Sequence, residues 1–356
     1  MRLLPTLTCS LLVYFSLLAG GLAVPQAAAA SLVSCSEIDL PVSVPTPRET
    51  VHGQLCMPAG SAPTTVQLLV HGGLYHRRYW DLPYQPERYS YQRDMARHGY
   101  VTFAVDRLGT GQSTKPPSAV LVDGVEAESI HQVVGHLRAG RVGGVRFNRV
   151  VLVGHSVGSG VTTLEAATYH DVDGVILTAI THLPSALELT KGLALYVYPV
   201  TRDPQLRKNG SDPGYVTSRP GGREPLFYAT RNADPQVIAT DEATKDQASV
   251  FGLGTVAVFG VLSPASRSID VPVLLAVGKN DILFCGFLAS DCSSAEALWK
   301  QEAPYFSPAA KLSTYVLLDS GHSIALHKNA DEYREATRTW LRTRFAVGAF
   351  STALSG

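Results

Sequence analysis

The sequence predicts an α/β protein built around a doubly wound, mostly parallel sheet, with a cap or lid inserted between its two halves. Two observations predict this architecture. Short apolar runs alternate with segments of helical periodicity on both sides of an irregular middle stretch. Hydrophobic residues make up 45% of the 356 residues and charged residues 17%, the balance expected of a globular chain with a large core.

Strands and helices alternate in the first part of the chain. Most of the predicted strands are continuous apolar runs, which are typical of strands buried on both faces of a parallel sheet. The strands are predicted over Thr50–Met57, Val66–Val70, Val101–Val105, Arg149–Val153 and Val172–Thr178. The helices are predicted over Pro86–His98, Val125–Arg138 and Gly158–His170.

The alternation stops between residues 182 and 267, where the sequence is rich in proline, glycine and charge. The later strands are predicted over Val271–Val277 and Leu312–Leu318, and the later helices over Ala295–Gln301 and Asn329–Phe345. Repeated βα units form parallel sheets that helices cover on both faces, so residues 31–181 and 268–356 are expected to form one core. The stretch 182–267 is predicted to be a cap over the carboxyl ends of the strands.

The first 30 residues are predicted to be a secretory signal peptide. Met1-Arg2 gives a short basic start, Leu11–Val24 is an apolar run, and Ala28-x-Ala30 is a plausible cleavage site. An uncleaved signal anchor is the alternative, but the run is short for a span of about 20 residues. Since Val250–Leu262 is also too short to cross a bilayer, we expect a protein of the secretory lumen or exterior without a stable membrane span.

The cysteines agree with export. Cys9 lies in the signal segment, and the four that remain allow three pairings. Proximity in sequence favours Cys35–Cys56, which would staple the N-terminal extension to an early strand, and Cys285–Cys292, which would close a short loop. Four reduced, buried thiols are the alternative, which an oxidising compartment disfavours.

Charge and composition exclude several classes of partner. The formal net charge is zero, so nothing suggests binding to nucleic acid or to a charged membrane surface. No C-x-x-C pair or histidine cluster has the spacing of a metal site, and no cofactor is predicted. Asn209-Gly-Ser211 is an N-glycosylation acceptor if the chain is secreted in a eukaryote.

The segment Gly154-His-Ser-Val-Gly158 carries the strongest functional signal. It joins the predicted strand Arg149–Val153 to a predicted helix, and G-x-S-x-G in that setting forms a tight, strained turn that exposes the serine hydroxyl. We therefore interpret Ser156 as a catalytic nucleophile. A chance G-x-S-x-G in a loop is the alternative, which the strand-turn-helix context disfavours.

A serine nucleophile needs a base, and the base needs an acid that fixes its tautomer. His322 and Asp281 each follow a predicted strand, so both are expected at the carboxyl edge of the sheet. The chain order Ser156, Asp281, His322 is the order found when a G-x-S-x-G turn of this kind is catalytic. Asp291 lies further from a strand end, and Asp319 is interpreted as capping its own turn.

Three other histidines are alternatives to His322 as the base. His155 adjoins the nucleophile, but the turn would direct it away from Ser156, so it is expected to pack. His71 is expected to hold its loop together by hydrogen bonds. His182 begins the insertion and could reach the cleft, but the sequence offers it no matched acid.

Acyl transfer also requires donors for the developing oxyanion, each contributing roughly 3 kcal/mol of transition-state stabilisation. One is expected to be the backbone N–H of Val157, which follows the nucleophile. The other is expected in the loop that follows the strand ending at Val70, where glycine allows close approach of the backbone. Gly73 is favoured, with Leu74 next.

These motifs together resemble the α/β-hydrolase superfamily over roughly residues 50–345. The motifs that carry the resemblance are His71-Gly-Gly73, Asp106–Ser113, Gly154–Gly158, Gly278–Asp281 and Gly321-His322. The resemblance implies a Ser-His-Asp triad, a cap inserted before the acid-bearing strand, and a structural role for the Asp106–Ser113 turn. Relatives that open epoxides or remove halide carry aspartate at the nucleophile position, where this chain has Ser156.

The expected activity is hydrolysis of an ester or lactone of a hydrophobic small molecule. Leu193–Val200 and Val250–Leu262 are apolar and would either line the cleft or bury against the main sheet. The insertion also carries four tyrosines that could orient a substrate, although packing is their commoner role: Tyr196, Tyr198, Tyr215 and Tyr228. Two other functions remain open, a tailoring enzyme that opens a lactone or epoxide or promotes a cyclisation, and a non-catalytic ligand-binding protein.

Overall fold

The computed structural model describes residues 33–46, 48–60, 64–209 and 212–345. The predicted signal peptide therefore lies outside the described residues, as do Gly210 and Ser211 of the predicted glycosylation triplet. Within the described part of the chain, no helix is both long enough and apolar enough to cross a membrane.

The described residues form one large sheet of eight strands. Its strands are β1 (Val33–Val42), β2 (Glu49–Pro58), β3 (Thr65–Val70), β4 (Val101–Val105), β5 (Arg149–His155), β6 (Gly174–Thr178), β10 (Val273–Gly278) and β11 (Ser313–Leu317). Their spatial order is β1-β2-β4-β3-β5-β6-β10-β11. All neighbouring strands from β4 to β11 run parallel, and only the β1–β2 and β2–β4 pairs are antiparallel. The prediction of a mostly parallel sheet is confirmed.

The helices flank this sheet or lie in the insertion. They are α1 (Pro86–Tyr89), α2 (Tyr91–Arg97), α3 (Asp123–Arg138), α4 (Val157–Tyr169), α5 (Ala186–Tyr196), α6 (Arg223–Phe227), α7 (Pro235–Ala243), α8 (Val250–Thr255), α9 (Ala295–Glu302) and α10 (Ala330–Phe345). The single helix predicted over Pro86–His98 is wrong, because Ser90 has an extended backbone and divides the segment. The Ser90 hydroxyl accepts a hydrogen bond from the Arg93 N–H, which begins α2.

The strand β1 is the one strand of the main sheet that was not predicted from the sequence. It pairs with β2 in antiparallel register, and Cys35 lies opposite Cys56. The two cysteines are joined by a disulfide, as predicted. The N-terminal extension is therefore fixed to the edge of the sheet both by a ladder of hydrogen bonds and by a covalent bond.

The second predicted disulfide, Cys285–Cys292, is also present. It closes a loop that follows β10 and that holds Phe287 and Leu288 in solvent, with 90% and 78% of their surfaces exposed. Leu288 has a positive φ of 58°, a conformation that non-glycine residues adopt rarely. The bridge thus constrains the loop next to the end of β10.

The insertion is more regular than its composition suggests. Besides α5 to α8, it contains a second sheet of three antiparallel strands, β7 (Val197–Pro199), β8 (Tyr215–Ser218) and β9 (Ala248–Ser249). The apolar run predicted from the sequence continues from α8 into a π-helical turn, Val256–Leu262. This turn packs against α4, the helix that follows the predicted nucleophile.

Candidate active site

Ser156 lies in a tight turn between β5 and α4. Its backbone has φ 52° and ψ −118°, a conformation whose strain is about 1–3 kcal/mol for a residue other than glycine. Neither flanking glycine has room for a side chain. A Cβ atom on Gly154 would overlap the backbone of Ser159, and one on Gly158 would overlap the carbonyl of Val70. The motif therefore forms the strained turn that its spacing predicts.

His322 and Asp281 meet beyond the carboxyl ends of neighbouring strands, β11 and β10. The Nδ1 atom of His322 lies 2.8 Å from Asp281 Oδ2, and both side chains are buried. The other carboxylate oxygen of Asp281 accepts a hydrogen bond from the Leu283 N–H. Because Asp281 accepts from Nδ1, the Nε2 atom of His322 is the ring nitrogen available as a base.

The rings of Phe227 and Phe284 fix the orientation of this imidazole. Their centroids lie 5.5 Å and 5.8 Å from that of His322, and both are stacked on it. The alternative acids lie elsewhere. Asp291 is exposed and accepts a hydrogen bond from the Ser293 N–H, and Asp319 is also exposed.

Ser156 and His322 line the same cavity, of about 110 Å³. Among the described residues, the Ser156 hydroxyl makes no hydrogen bond to the imidazole. Such contacts are often long in unliganded enzymes and tighten when substrate binds. The structure thus brings the three predicted residues to one place and joins two of them directly.

His155 packs in the interior, as the sequence predicts. Its ring is fully buried and stacked on Tyr79 at a centroid distance of 4.1 Å, and its Nδ1 atom contacts the Tyr79 and Thr178 hydroxyls. Burial lowers the pKa of His155 well below its usual range, and the neighbouring imidazoles of His322 and His71 lower it further. A neutral His155 adds no charge beside the nucleophile.

The predicted oxyanion donors border the same cavity. Gly73 and Val157 both line it, and a Cβ atom on Gly73 would lie 3.2 Å from the Val157 side chain, so the two residues are neighbours. Among the described residues, neither of their backbone N–H groups donates to a protein acceptor. Leu74, the other candidate, also lines the cavity and has a positive φ of 63°. Two unpaired N–H groups are therefore available beside Ser156.

A buried arginine in the insertion, which was not predicted from the sequence, holds this loop in place. Arg223 is fully buried, pairs through two nitrogens with the carboxylate of Asp241, and donates a third hydrogen bond to the Leu74 carbonyl at 2.9 Å. Its guanidinium also lies 4.0 Å above the ring of Tyr75, whose hydroxyl contacts Ser323, the residue after His322. No sequence pattern marked Arg223, because its hydrogen-bond partners, Asp241 and Leu74, lie 18 and 149 residues away along the chain.

A second, larger cavity of about 220 Å³ also reaches Ser156. Residues of both apolar runs of the insertion, Leu193–Val200 and Val250–Leu262, line the two cavities. Of the two alternatives left open by the sequence, lining the cleft or burying against the main sheet, the first therefore describes these residues. The shared lining residues are Ser156, Val157, Leu189, Leu193, Leu253 and Leu283. Among all the residues that line the two cavities, the only side chains with polar atoms are those of Ser156 and His322, and no carboxylate, lysine or arginine is present.

The four tyrosines of the insertion are not among the lining residues. Three of them donate hydrogen bonds to other parts of the protein, Tyr198 to Asp203, Tyr215 to the carbonyl of Pro116, and Tyr228 to Asp241. These three tyrosines therefore have the packing role that was expected to be the commoner one.

The expectation that His182 lacks an acid is wrong. Its Nδ1 atom lies 2.6 Å from the carboxylate of Glu302, and its Nε2 atom lies 2.9 Å from the hydroxyl of Ser266. Its ring is stacked on Tyr305, and the Ser266 hydroxyl donates to the Tyr305 carbonyl. This second group of serine, histidine and acid holds the beginning and the end of the insertion to α9.

His71 and Asp106 have the structural roles expected of them. The His71 ring contacts the carbonyl of Gly72 and the hydroxyl of Thr110, and it accepts from the N–H of Arg107. The carboxylate of Asp106 accepts backbone N–H bonds across its own turn and from the loop after β3. These bonds connect the loop that carries Gly73 to the loop after β4.

The model of the alpha/beta hydrolase family matches residues 67–336 of this chain. The chain belongs to the alpha/beta hydrolase family. Membership supports a hydrolase function at the coarse level, and the matched range includes Ser156, Asp281 and His322. No curated protein matches the sequence of this alpha/beta hydrolase.

Solved structures share the fold of this alpha/beta hydrolase at low sequence identity. A thermophilic esterase from Thermogutta terrifontis is 19% identical and has a TM-score of 0.60, covering 86% of this chain and 98% of its own. A soluble variant of monoglyceride lipase from Saccharomyces cerevisiae is 15% identical, with a TM-score of 0.59 and coverages of 90% and 98%. A bromoperoxidase from Bacillus anthracis is 17% identical, with a TM-score of 0.57 and coverages of 86% and 100%. At these identities the similarity establishes the fold alone.

Proposed function

We propose that this alpha/beta hydrolase is a secreted serine hydrolase that cleaves carboxylic esters or lactones of hydrophobic small molecules. The strained backbone of Ser156, at a cavity that His322 also lines, is the observation that carries the proposal. The two disulfides are compatible with an oxidising, extracytoplasmic compartment and support secretion.

In the proposed mechanism, the Ser156 hydroxyl attacks the substrate carbonyl while His322 Nε2 takes its proton. Asp281, which accepts from His322 Nδ1, stabilises the imidazolium that forms. The N–H groups of Gly73 and Val157 stabilise the tetrahedral oxyanion. The imidazolium then protonates the leaving alcohol, and His322 activates a water molecule that hydrolyses the acyl-enzyme.

The position of the base suggests how a substrate lies in the two cavities. His322 must protonate the leaving alcohol, and it lines only the smaller cavity. The alcohol would therefore occupy the 110 Å³ cavity and the acyl group the 220 Å³ cavity. Each volume is below the 300–1,000 Å³ typical of drug-sized ligand pockets. A compact substrate fits this arrangement.

The apolar lining supports an uncharged acyl group. A carboxylate in the larger cavity would lose its hydration without gaining a cationic partner, which is costly. p-Nitrophenyl butyrate and p-nitrophenyl hemisuccinate have acyl chains of the same length, and only the second carries a charge. The purified protein should hydrolyse the butyrate with the higher kcat/KM, and a preference for the hemisuccinate would contradict the proposed substrate class.

Two matched substitutions test the assignment of the cavities. Ala257 lines only the larger cavity and Val197 only the smaller one. Ala257→Phe should lower kcat/KM for p-nitrophenyl octanoate much more than for the acetate, because it shortens the acyl cavity. Val197→Phe should instead discriminate between small and bulky alcohols of a common acetate. The opposite pattern would mean that the smaller cavity holds the acyl group and the larger one the alcohol.

Labelling with a fluorophosphonate probe separates the proposal from a non-catalytic ligand-binding role. An activated serine forms a covalent adduct with this probe, and mass spectrometry of the digested protein should place it on Ser156. A protein that remains unlabelled, or that is labelled at another residue, would overturn the proposed nucleophile.

A further inference from the structure

A histidine and two carboxylates converge at the end of α4 opposite to Ser156. One donor atom from each of His131, Glu165 and Asp171 lies within 4.8 Å of the other two. His131 is on α3, Glu165 is on α4, and Asp171 is in the loop before β6. Glu165 lies nine residues after Ser156, which corresponds to about 14 Å along a helix axis. The group is therefore separate from the proposed catalytic residues.

Glu165 is the unusual member of this group. Glu165 is fully buried, yet neither of its carboxylate oxygens accepts a hydrogen bond. The Oδ1 atom of Asp171 also accepts none. A buried carboxylate without a partner is costly, and buried charges are normally paired or coordinate a metal. The three unpaired oxygens therefore point to a ligand that the protein chain itself does not supply.

The histidine is held in place beside these carboxylates. Its Nδ1 atom lies 2.8 Å from Asp171 Oδ2, and its ring is stacked on Tyr169 at a centroid distance of 3.9 Å. The Tyr169 hydroxyl in turn donates to Glu128 on α3. Stacking on Tyr169 limits the rotation of the His131 ring before any metal binds. The imidazole is therefore preorganised for coordination.

We propose that His131, Glu165 and Asp171 bind a divalent first-row transition cation, with Zn²⁺ as the type case. One imidazole and two carboxylates form a donor set that suits zinc, whereas calcium and magnesium prefer oxygen ligands only. Bonds of about 2.0–2.2 Å require small adjustments, which the partly exposed His131 and Asp171 side chains can make. Water can complete the coordination from the exposed side.

The neighbouring cation does not fill this role. The Arg138 guanidinium donates to the backbone carbonyl of Asp171 and to the carboxylate of Asp173, so its charge is directed to the loop backbone and to Asp173. It makes no hydrogen bond to the Glu165 carboxylate among the described residues. Arg138 therefore does not satisfy the two Glu165 oxygens, and either a proton or a bound cation must do so.

A bound proton, instead of a metal ion, is the competing explanation for the unpaired Glu165 carboxyl. Burial, with the nearby Asp171 carboxylate, raises the pKa of Glu165 to about 10, so without a cation this carboxyl keeps its proton and can share it with Asp171. The substitution Glu165→Gln separates the two explanations. The glutamine amide can replace a protonated carboxyl as a donor to Asp171, but it is a poor ligand for zinc.

The test uses the full purified chain, first dialysed against EDTA and then freed of it. Addition of ZnCl₂ should raise the thermal unfolding midpoint, because a ligand that binds only the folded state stabilises it. Mass spectrometry of the native protein should find one zinc per chain. Glu165→Gln and His131→Gln should each lose both effects, and MgCl₂ or CaCl₂ at the same concentration should produce a smaller shift.

His98→Gln is the matched control. His98, the residue after α2, also lies beside an aspartate, Asp94, but it has no buried unpaired carboxylate next to it. This variant should keep the full response to zinc. The proposal would be overturned if wild-type protein showed no response, if the response persisted in His131→Gln, or if magnesium or calcium equalled zinc. If Glu165→Gln fails to fold, His131→Gln decides the matter.

Discussion

The described part of the chain holds a serine, a histidine and an acid close together at His322 and again at His182, and a comparison of the two groups shows what a catalytic arrangement requires. His322 contacts Asp281 at 2.8 Å and shares a cavity with Ser156. His182 contacts Glu302 at 2.6 Å and Ser266 at 2.9 Å. Judged by these distances alone, the group around His182 would be the better triad.

The two groups differ in the hydrogen bonds that the serine hydroxyl makes and in the exposure of the serine. The Ser266 hydroxyl donates to the Tyr305 carbonyl, so it must accept from His182 Nε2, which leaves no lone pair to take the serine proton. Ser266 is also only 1% exposed, whereas Ser156 lines two cavities. Proximity of the three residue types is therefore insufficient. The serine must also have a free proton and access to substrate.

The largest expected effect comes from the two serines. Ser156→Ala should lower kcat for p-nitrophenyl butyrate by about 10⁶-fold, as expected when a triad nucleophile is removed. Ser266→Ala should leave kcat close to wild type and lower the free energy of unfolding by about 1–3 kcal/mol, because it removes two hydrogen bonds of a buried hydroxyl, one with His182 and one with the Tyr305 carbonyl. Circular dichroism of both variants serves as the control for folding. Similar losses of activity in the two variants would contradict the assignment of Ser156, and not Ser266, as the nucleophile.

The two acids should separate in the same way with a smaller effect. Asp281→Asn should lower kcat by about 10⁴-fold, because the amide favours the wrong tautomer of His322. Glu302→Gln should retain activity but lower the free energy of unfolding by about 1.5–3 kcal/mol, since Glu302 accepts from both the backbone and the ring of His182. Urea unfolding and initial rates measure the two outcomes. A kcat in Asp281→Asn equal to that of wild type would exclude Asp281 as the acid.

Acid pH should act on the loop that carries His322. Burial lowers the pKa of His327 to about 4, and its Nε2 atom accepts from the N–H groups of Gly321 and Ala229. The unfolded chain takes up this proton near pH 6.5, so stability is complete above that pH and falls as the pH drops towards 4. This histidine alone should contribute about 3 kcal/mol to the loss.

Urea unfolding at pH 7.5, 5.5 and 4.5 measures this dependence. His327→Gln, which retains an acceptor but does not titrate, should show a smaller loss of stability over the same range. His71 and His155, whose pKa values are also lowered by burial, add to the loss in both proteins. An equal loss in wild type and variant would remove His327 from the explanation.

The sequence predicted the parts of the site that depend on strand ends. Ser156 and Asp281 follow the buried strands β5 and β10, and His322 follows the half-buried edge strand β11. Parallel strands bring their carboxyl ends to one edge of the sheet, so this meeting could be predicted without knowledge of side-chain contacts. Glu302 was missed as a partner of His182 because it lies within α9, where no turn or strand end marks it. Arg223 was missed because its partners, Asp241 and Leu74, lie far from it in the sequence.

The errors in the fold have similarly local causes. The segment Val33–Val42 is a sheet edge with mostly exposed or half-buried residues and a proline, so it lacks the continuous apolar run of an inner strand. The break at Ser90 interrupts a helical pattern that continues on both sides, and a single serine gives little warning of it. The insertion looked irregular because its three strands are only two to four residues long.

The loop closed by Cys285 and Cys292 has a practical consequence. In this disulfide-closed loop, the apolar side chains of Phe287 and Leu288 are exposed to solvent. A loop without the disulfide would have more freedom to bury them. The folded protein should accordingly adhere to phenyl-type chromatography resins and to plastic through this tip. A thiol reductant added during purification would then alter how the sample behaves on the column, even if the rest of the molecule stayed intact.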